Sequence, residues 1–103
     1  MLDHLRIYRS TASETDVSNA ITANKGGLVG VASLTVDATA EAGAVTVRLY
    51  DDINSSVATA IKVVCQAAAG AVSQVHFNPP IGFTKLSITH SGSSTAAYIG
   101  YTW

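Results

Sequence analysis

The stretch Phe77-Asn-Pro-Pro-Ile-Gly-Phe-Thr-Lys-Leu-Ser-Ile-Thr-His-Ser-Gly-Ser-Ser-Thr-Ala-Ala-Tyr-Ile-Gly-Tyr-Thr-Trp103 decides how this chain is read. Within it Leu86, Ile88 and His90 alternate with Ser87 and Thr89. After a Ser/Gly segment, Ala97, Ile99, Tyr101 and Trp103 alternate with Tyr98, Gly100 and Thr102. A period of two puts alternate side chains on opposite faces of a strand. Two such runs around a short Ser/Gly turn predict a β-hairpin, and the in-phase Trp103 predicts that the last residues stay inside a sheet. Upstream, Pro79 and Pro80 lack the N–H that a ladder needs, and Pro79 biases Asn78 away from helical backbone. They predict a break between a strand Val72–Phe77 and the hairpin.

The same period recurs toward the N-terminus. Ala58–Gln66 aligns Ile61, Val63 and Cys65, and Ala44–Asp51 aligns Val45, Val47 and Leu49 against Thr46, Arg48 and Tyr50. In Leu28–Asp37 the apolar set changes phase from Val29 and Val31 to Leu34 and Val36, which predicts a bulge near Val31–Ser33. Asn24-Lys25-Gly26-Gly27 is a turn signal. Leu5–Ser10 reads as a first strand and Val17–Ala23 as a weak second one. Ala38–Gly43 has helical propensity but is too short for a stable helix, and reads as a connector. So do Asp52–Val57 and Ala67–Ala71. About seven to eight short strands at this spacing predict an all-β fold, an antiparallel, jelly-roll-like β-sandwich, with a small closed barrel as the competing architecture. The length of 103 residues fits a single domain over 1–103.

Composition narrows the partners. The net charge of −1 gives no electrostatic basis for nucleic-acid or anionic-membrane partners. Charged residues make up 13% of the chain, against about 25% in ordinary soluble domains. The remaining surface is rich in Ser, Thr and Ala, and charge depletion of this kind is characteristic of interface cores. Composition thus favours a surface that meets other protein subunits. Met1–Arg9 has no apolar run of signal-peptide length, and no stretch approaches the ~18 apolar residues of a membrane span. Synthesis and folding in a cytoplasm are expected. The one cysteine, Cys65, excludes an internal disulfide, and its phase with Ile61 and Val63 predicts a buried, inert thiol.

Chemistry-bearing residues do not assemble into a recognisable constellation. His4, His76 and His90 never reach metal-ligand spacing. Asp51-Asp52-Ile53-Asn54 concentrates oxygen ligands without matching a calcium-binding loop, and such residues more commonly close turns onto nearby backbone. Asn54-Ser55-Ser56 fits the glycosylation acceptor pattern, incidentally where no secretory signal is found. The sequence has no Gly-x-Ser-x-Gly elbow, no phosphate-binding loop and no Cys/His dyad, and Gly26-Gly27 precedes a strand rather than a helix. Glu14, Asp37 and Glu41 fall in polar connectors, so no facing carboxylate pair is predicted. A non-enzyme without catalytic, metal or cofactor residues is expected. The candidate interface or ligand-stacking residues are Tyr50, Tyr98, Tyr101 and Trp103. Tyr50 and Tyr98 are predicted to face outward, where they would suit sugar stacking. Tyr101 and Trp103 share the phase of Ile99 and are read as core or interface anchors.

The second half resembles small β-sandwich structural proteins of tailed bacteriophages, of the head decoration or cement type. The resemblance spans Val45–Trp103. It rests on Leu49-Tyr50-Asp51, the apolar strand Ala60–Cys65, Phe77-Asn-Pro-Pro-Ile81 with Phe83-Thr-Lys85, Leu86–Thr89, and Tyr98-Ile-Gly-Tyr101 after a Ser/Gly turn. It differs in having Leu86 directly after Lys85, where the pattern often has Gly. The resemblance implies a structural protein of the virion that stabilises the phage head from the capsid exterior. It further implies a homotrimer contacting the major capsid protein or other virion proteins, assembled in the host cytoplasm. The alternative is a carbohydrate- or receptor-binding β-sandwich module of a phage tail or fibre.

Overall fold

Residues 6–15, 17, 29–54 and 57–102 are described by a computed structural model. The expectations for His4, Leu5, the turn at Asn24–Gly27, most of Val17–Ala23, Ser55–Ser56 and Trp103 lie outside the described residues. The chain is all-β. Its strands are β1 (Arg6–Ser10), β2 (Val29–Asp37), β3 (Val45–Asp51), β4 (Ile61–Ala67), β5 (Val72–Phe83), β6 (Leu86–His90) and β7 (Ala96–Thr102), with a 3-10 turn at Ala58–Ala60. Two antiparallel sheets pack face to face, one in the order β1-β7-β2-β5 and the other β4-β3-β6.

The strand pairs nest. β1 pairs with β7, β2 with β5 and β3 with β4. Between the first two pairs, Glu14 forms an antiparallel bridge with Ile88 of β6, exchanging N–H···O bonds of 3.0 and 2.9 Å. The chain is therefore one long antiparallel ribbon, doubled back at the β3–β4 connection and rolled so that successive pairs alternate between sheets. That is jelly-roll winding, in which, among the described residues, the Glu14–Ile88 bridge stands where the second strand would lie.

The predicted hairpin is not formed. β6 pairs with β3, whereas β7 lies in the other sheet between β1 and β2. The reason is burial. Leu86 and Ile88 from one sheet, and Ala97, Ile99 and Tyr101 from the other, all enter the same core. Strands that each bury one apolar face gain more by stacking those faces across the interior than by lying side by side. Ser91–Thr95 spans the layers as an arch. Glu41, from the β2–β3 connection, holds it by accepting the Ser94 N–H at 2.6 Å and the Thr95 hydroxyl at 2.5 Å. The predicted proline break is an interruption of the ladder rather than the end of a strand. β5 runs through Asn78, the cis-linked Pro79, and Pro80. Between the pairs Val31↔Ile81 and Ser33↔His76, β5 advances five residues while β2 advances two. β5 is an edge strand bonded on one side alone, so prolines fit within it.

Other expectations hold. The register of β2 shifts between Val31 and Ser33 against both neighbours, which lets Val29, Val31, Leu34 and Val36 all reach the core. Cys65 is a buried free thiol. Strand β4 starts at Ile61, after the 3-10 turn, rather than at Ala58.

Candidate functional surface

The core-facing side of the four-stranded sheet is apolar. Its opposite side is a broad face whose rows follow from the register. One row runs Ile7, Gly100, Ser33, His76, and the next runs Arg9, Tyr98, Thr35, Gln74. Asp37 follows, paired with Ala96 on one side and Val72 on the other. The middle of this face is flat. A side chain on Gly100 would collide with the Ser33 hydroxyl, so glycine lets Ser33 lie over β7. Apolar corners border the flat centre: Ile7 is 73% exposed and Val72 56% exposed.

The polar side chains of this face bond mainly to one another. Arg9 Nε donates to the Tyr98 hydroxyl at 3.3 Å, with the guanidinium 5.9 Å from the ring centroid. Gln74 Nε2 donates to Thr35 Oγ1 at 2.7 Å. Asp37 accepts the Thr39 hydroxyl and N–H, which, with the Arg9 charge, holds its carboxyl below the usual range. Groups satisfied in this way can be covered by a protein partner without stranding a donor or acceptor.

The structure separates the four candidate residues. Tyr98 stands half-buried on the outward face just described, while Tyr101 is buried in the core and Trp103 lies outside the described residues. Tyr50 does not stand outward as predicted. It is 7% exposed. It pairs with Ser87, whose hydroxyl lies within hydrogen-bond distance of the carbonyls of Thr15 and Asp52 and has one proton to share between them, so the chain near both residues is drawn to this corner of the three-stranded sheet. Period-two phase assigns the sheet face correctly but says nothing of a segment laid over it.

The acidic loop works as turn chemistry. Asp52 accepts the Asn54 N–H, and Asp51 Oδ1 accepts the N–H groups of Thr84 and Lys85. Lys62 lies 3.3 Å from Asp51 Oδ2, donates to the Gly82 carbonyl at 2.7 Å and sits over the Phe83 ring. Among the described residues, no group of three His, Cys, Asp or Glu side chains is placed to hold a metal. No helix among them is long and apolar enough to cross a membrane. The contact that sequence reasoning did not anticipate joins the sheets: Ser10 Oγ lies 3.1 Å from His90 Nε2. Ser10 is 1% exposed and its hydroxyl donates to the Ala12 carbonyl, a geometry for structure rather than nucleophilic attack.

No protein-family model and no curated protein sequence matches the chain. Among solved structures it is similar to a chain of the virus-like particle of the extra small virus of the giant freshwater prawn Macrobrachium rosenbergii. The identity is 16%, with 95% of this chain and 76% of that chain aligned and a TM-score of 0.41. Likeness of this degree carries no functional argument, and the chain's role rests on its own surface.

Proposed function

We propose that this chain is a non-enzymatic structural protein of a virus particle, a capsid decoration or cement protein that acts as a homo-oligomer bound to the shell. The observation that carries this reading is the outward face of the β1-β7-β2-β5 sheet. It is flat at Gly100 and Ser33, edged by exposed Ile7 and Val72, and polar mainly through groups already bonded within it. The charge-poor composition supports the same reading. So does the jelly-roll winding, by fold-level analogy alone, since that architecture serves both capsids and lectins. The role would be mechanical: contacts made only in the assembled shell stabilise that shell by linkage.

Light scattering on the purified chain, with a double variant Ile7→Lys, Val72→Lys, tests the self-association this role needs. An oligomer that becomes a folded monomer, with its β-sheet circular dichroism retained, supports the proposal. A wild-type chain that stays monomeric and does not co-purify with particles at fixed stoichiometry overturns it. Tyr98 favours a second reading, a carbohydrate- or receptor-binding module, because it stands between Arg9 and Thr35 on the outward face, with the Arg9 guanidinium 5.9 Å from its ring. Glycan-array binding lost in Tyr98→Ala would select that reading.

A further inference from the structure

Residues 11–15 leave the four-stranded sheet after β1 and lie along the edge of β6, in the place of the jelly roll's second strand. Among the described residues, a handful of bonds hold this strap. Glu14 exchanges backbone bonds with Ile88, Ser13 Oγ accepts the His90 N–H at 3.2 Å, and the Ser87 hydroxyl donates to the Thr15 carbonyl at 2.6 Å. The Tyr8 hydroxyl donates to Glu14 Oε1 at 2.5 Å. At its start stands Ser10, whose oxygen meets His90 Nε2 across the interior. Because the Ser10 proton is given to the Ala12 carbonyl at 2.9 Å, the imidazole supplies the hydrogen of this contact and carries its proton on Nε2. Nδ1 is then a bare lone pair. It is fully enclosed, and among the described residues it has no hydrogen-bond partner.

We propose that His90 is a proton-operated latch on the strap: as neutral imidazole it pins Ser10 and keeps 11–15 on the edge of β6, and protonation favours the lifted state. A second proton would have to sit on Nδ1, for which the described residues offer no acceptor, so the imidazolium is accommodated once the strap lifts and water reaches the ring. Among the described residues, the titratable groups around the ring are Glu14 on the strap and the phenol of Tyr8, itself bonded to Glu14. β3 presents Val47 opposite His90, and β7 presents Ala97 opposite Ser10, so neither contributes charge. Burial lowers the pKa of His90 below 6.5, and the attraction of Glu14 for an imidazolium does not offset it. A group with a folded pKa below its unfolded value favours the closed form above 6.5, and that preference is lost as pH falls. Opening leaves Leu86–His90 with an unpaired edge that another strand can join.

Hydrogen exchange of the full chain, corrected for intrinsic rates, tests the latch. Between about pH 7.5 and about pH 5.5, protection of the Glu14 and Ile88 amides is expected to fall, by at most about tenfold, relative to Leu34. His90→Gln, which can still donate to Ser10, is expected to keep the neutral-pH protection and lose the pH dependence. Ser10→Ala is expected to show low protection at both values, and serves alone if the His90 variant does not fold. Unchanged protection in the wild type across this range overturns the proposal. So does an equal fall in His90→Gln or Ser10→Ala, or an imidazole found by nitrogen chemical shifts to carry its proton on Nδ1.

Discussion

The carboxylate of Glu41 and the hydroxyl of Thr95 lie 2.5 Å apart although 54 residues separate them. This contact closes the arch that carries the chain from β6 in one sheet to β7 in the other. The hydroxyl, with the N–H groups of Ser94 and Ser93, holds the Glu41 carboxyl below its ordinary range. A depressed carboxylate adds stability above its unfolded value, and that contribution disappears as pH falls through the folded value. Glu41→Gln is expected to lower Tm at neutral pH and to flatten the fall of Tm between about pH 5 and about pH 3. Thermal melts across that range, wild type against variant, check both effects.

A methyl group on Gly92 would meet the Glu41 carboxylate and the Thr95 hydroxyl. Gly92→Ala is therefore expected to displace Glu41 and to act through the same contact. In a double-mutant cycle with Glu41→Ala, the combined loss should be clearly smaller than the sum of the two single losses. Additive losses would mean that Gly92 serves the arch in another way.

Asp51 staples β3 to the turn between β5 and β6. Burial pushes its pKa up, but the N–H groups of Lys85 and Thr84 and the Lys62 ammonium outweigh this and hold it low. Asp51→Ala is expected to destabilise by about 1–3 kcal/mol, since two backbone donors lose a charged acceptor. Denaturant melts at neutral pH read this loss. It should shrink on acidification through the carboxylate range, because the wild-type staple then weakens as well.

Tyr8 binds Glu14 in a half-buried site, and its pKa is pushed up to about 12, first by burial and then by the hydrogen bond and charge of Glu14. A phenol raised in this way adds stability below its ordinary value of 10.0, and that contribution is lost as pH rises through about 12. Ultraviolet titration should show a late tyrosine step that is missing in Tyr8→Phe. Glu14→Gln should move that step partway toward the ordinary value, burial remaining.

Leu34 and Ile88 face each other's sheets from within the core, both fully buried. Leu34→Ala or Ile88→Ala is expected to cost about 2–5 kcal/mol. Ile7→Ala, on the outward face, is expected to change monomer stability by less than about 0.5 kcal/mol. Denaturant melts separate the two classes.

Short-range physics was legible in the sequence. The period of two marked β2 to β7, the phase change at Val31–Ser33 marked the bulge, and Cys65 in phase with Val63 marked a buried thiol. Each depends on neighbours within a few residues. Which strands became partners was a different matter. Ser91–Thr95 reads locally as a hairpin turn, and only Glu41 together with the shared core of Ile88 and Ile99 makes it an arch between layers. Pro79 and Pro80 read as a break, and the edge position of β5, with the unpaired bulge from Phe77 to Pro80, lets the strand continue through them. Tyr50 keeps its predicted phase yet is buried, beside the Ser87 that bonds the chain at Thr15 and Asp52. The meeting of Ser10 with His90 has no local signal at all. Alternation specifies which side of a strand is apolar. The partner that side meets is set by burying all such sides in one core, a condition that involves the whole chain at once.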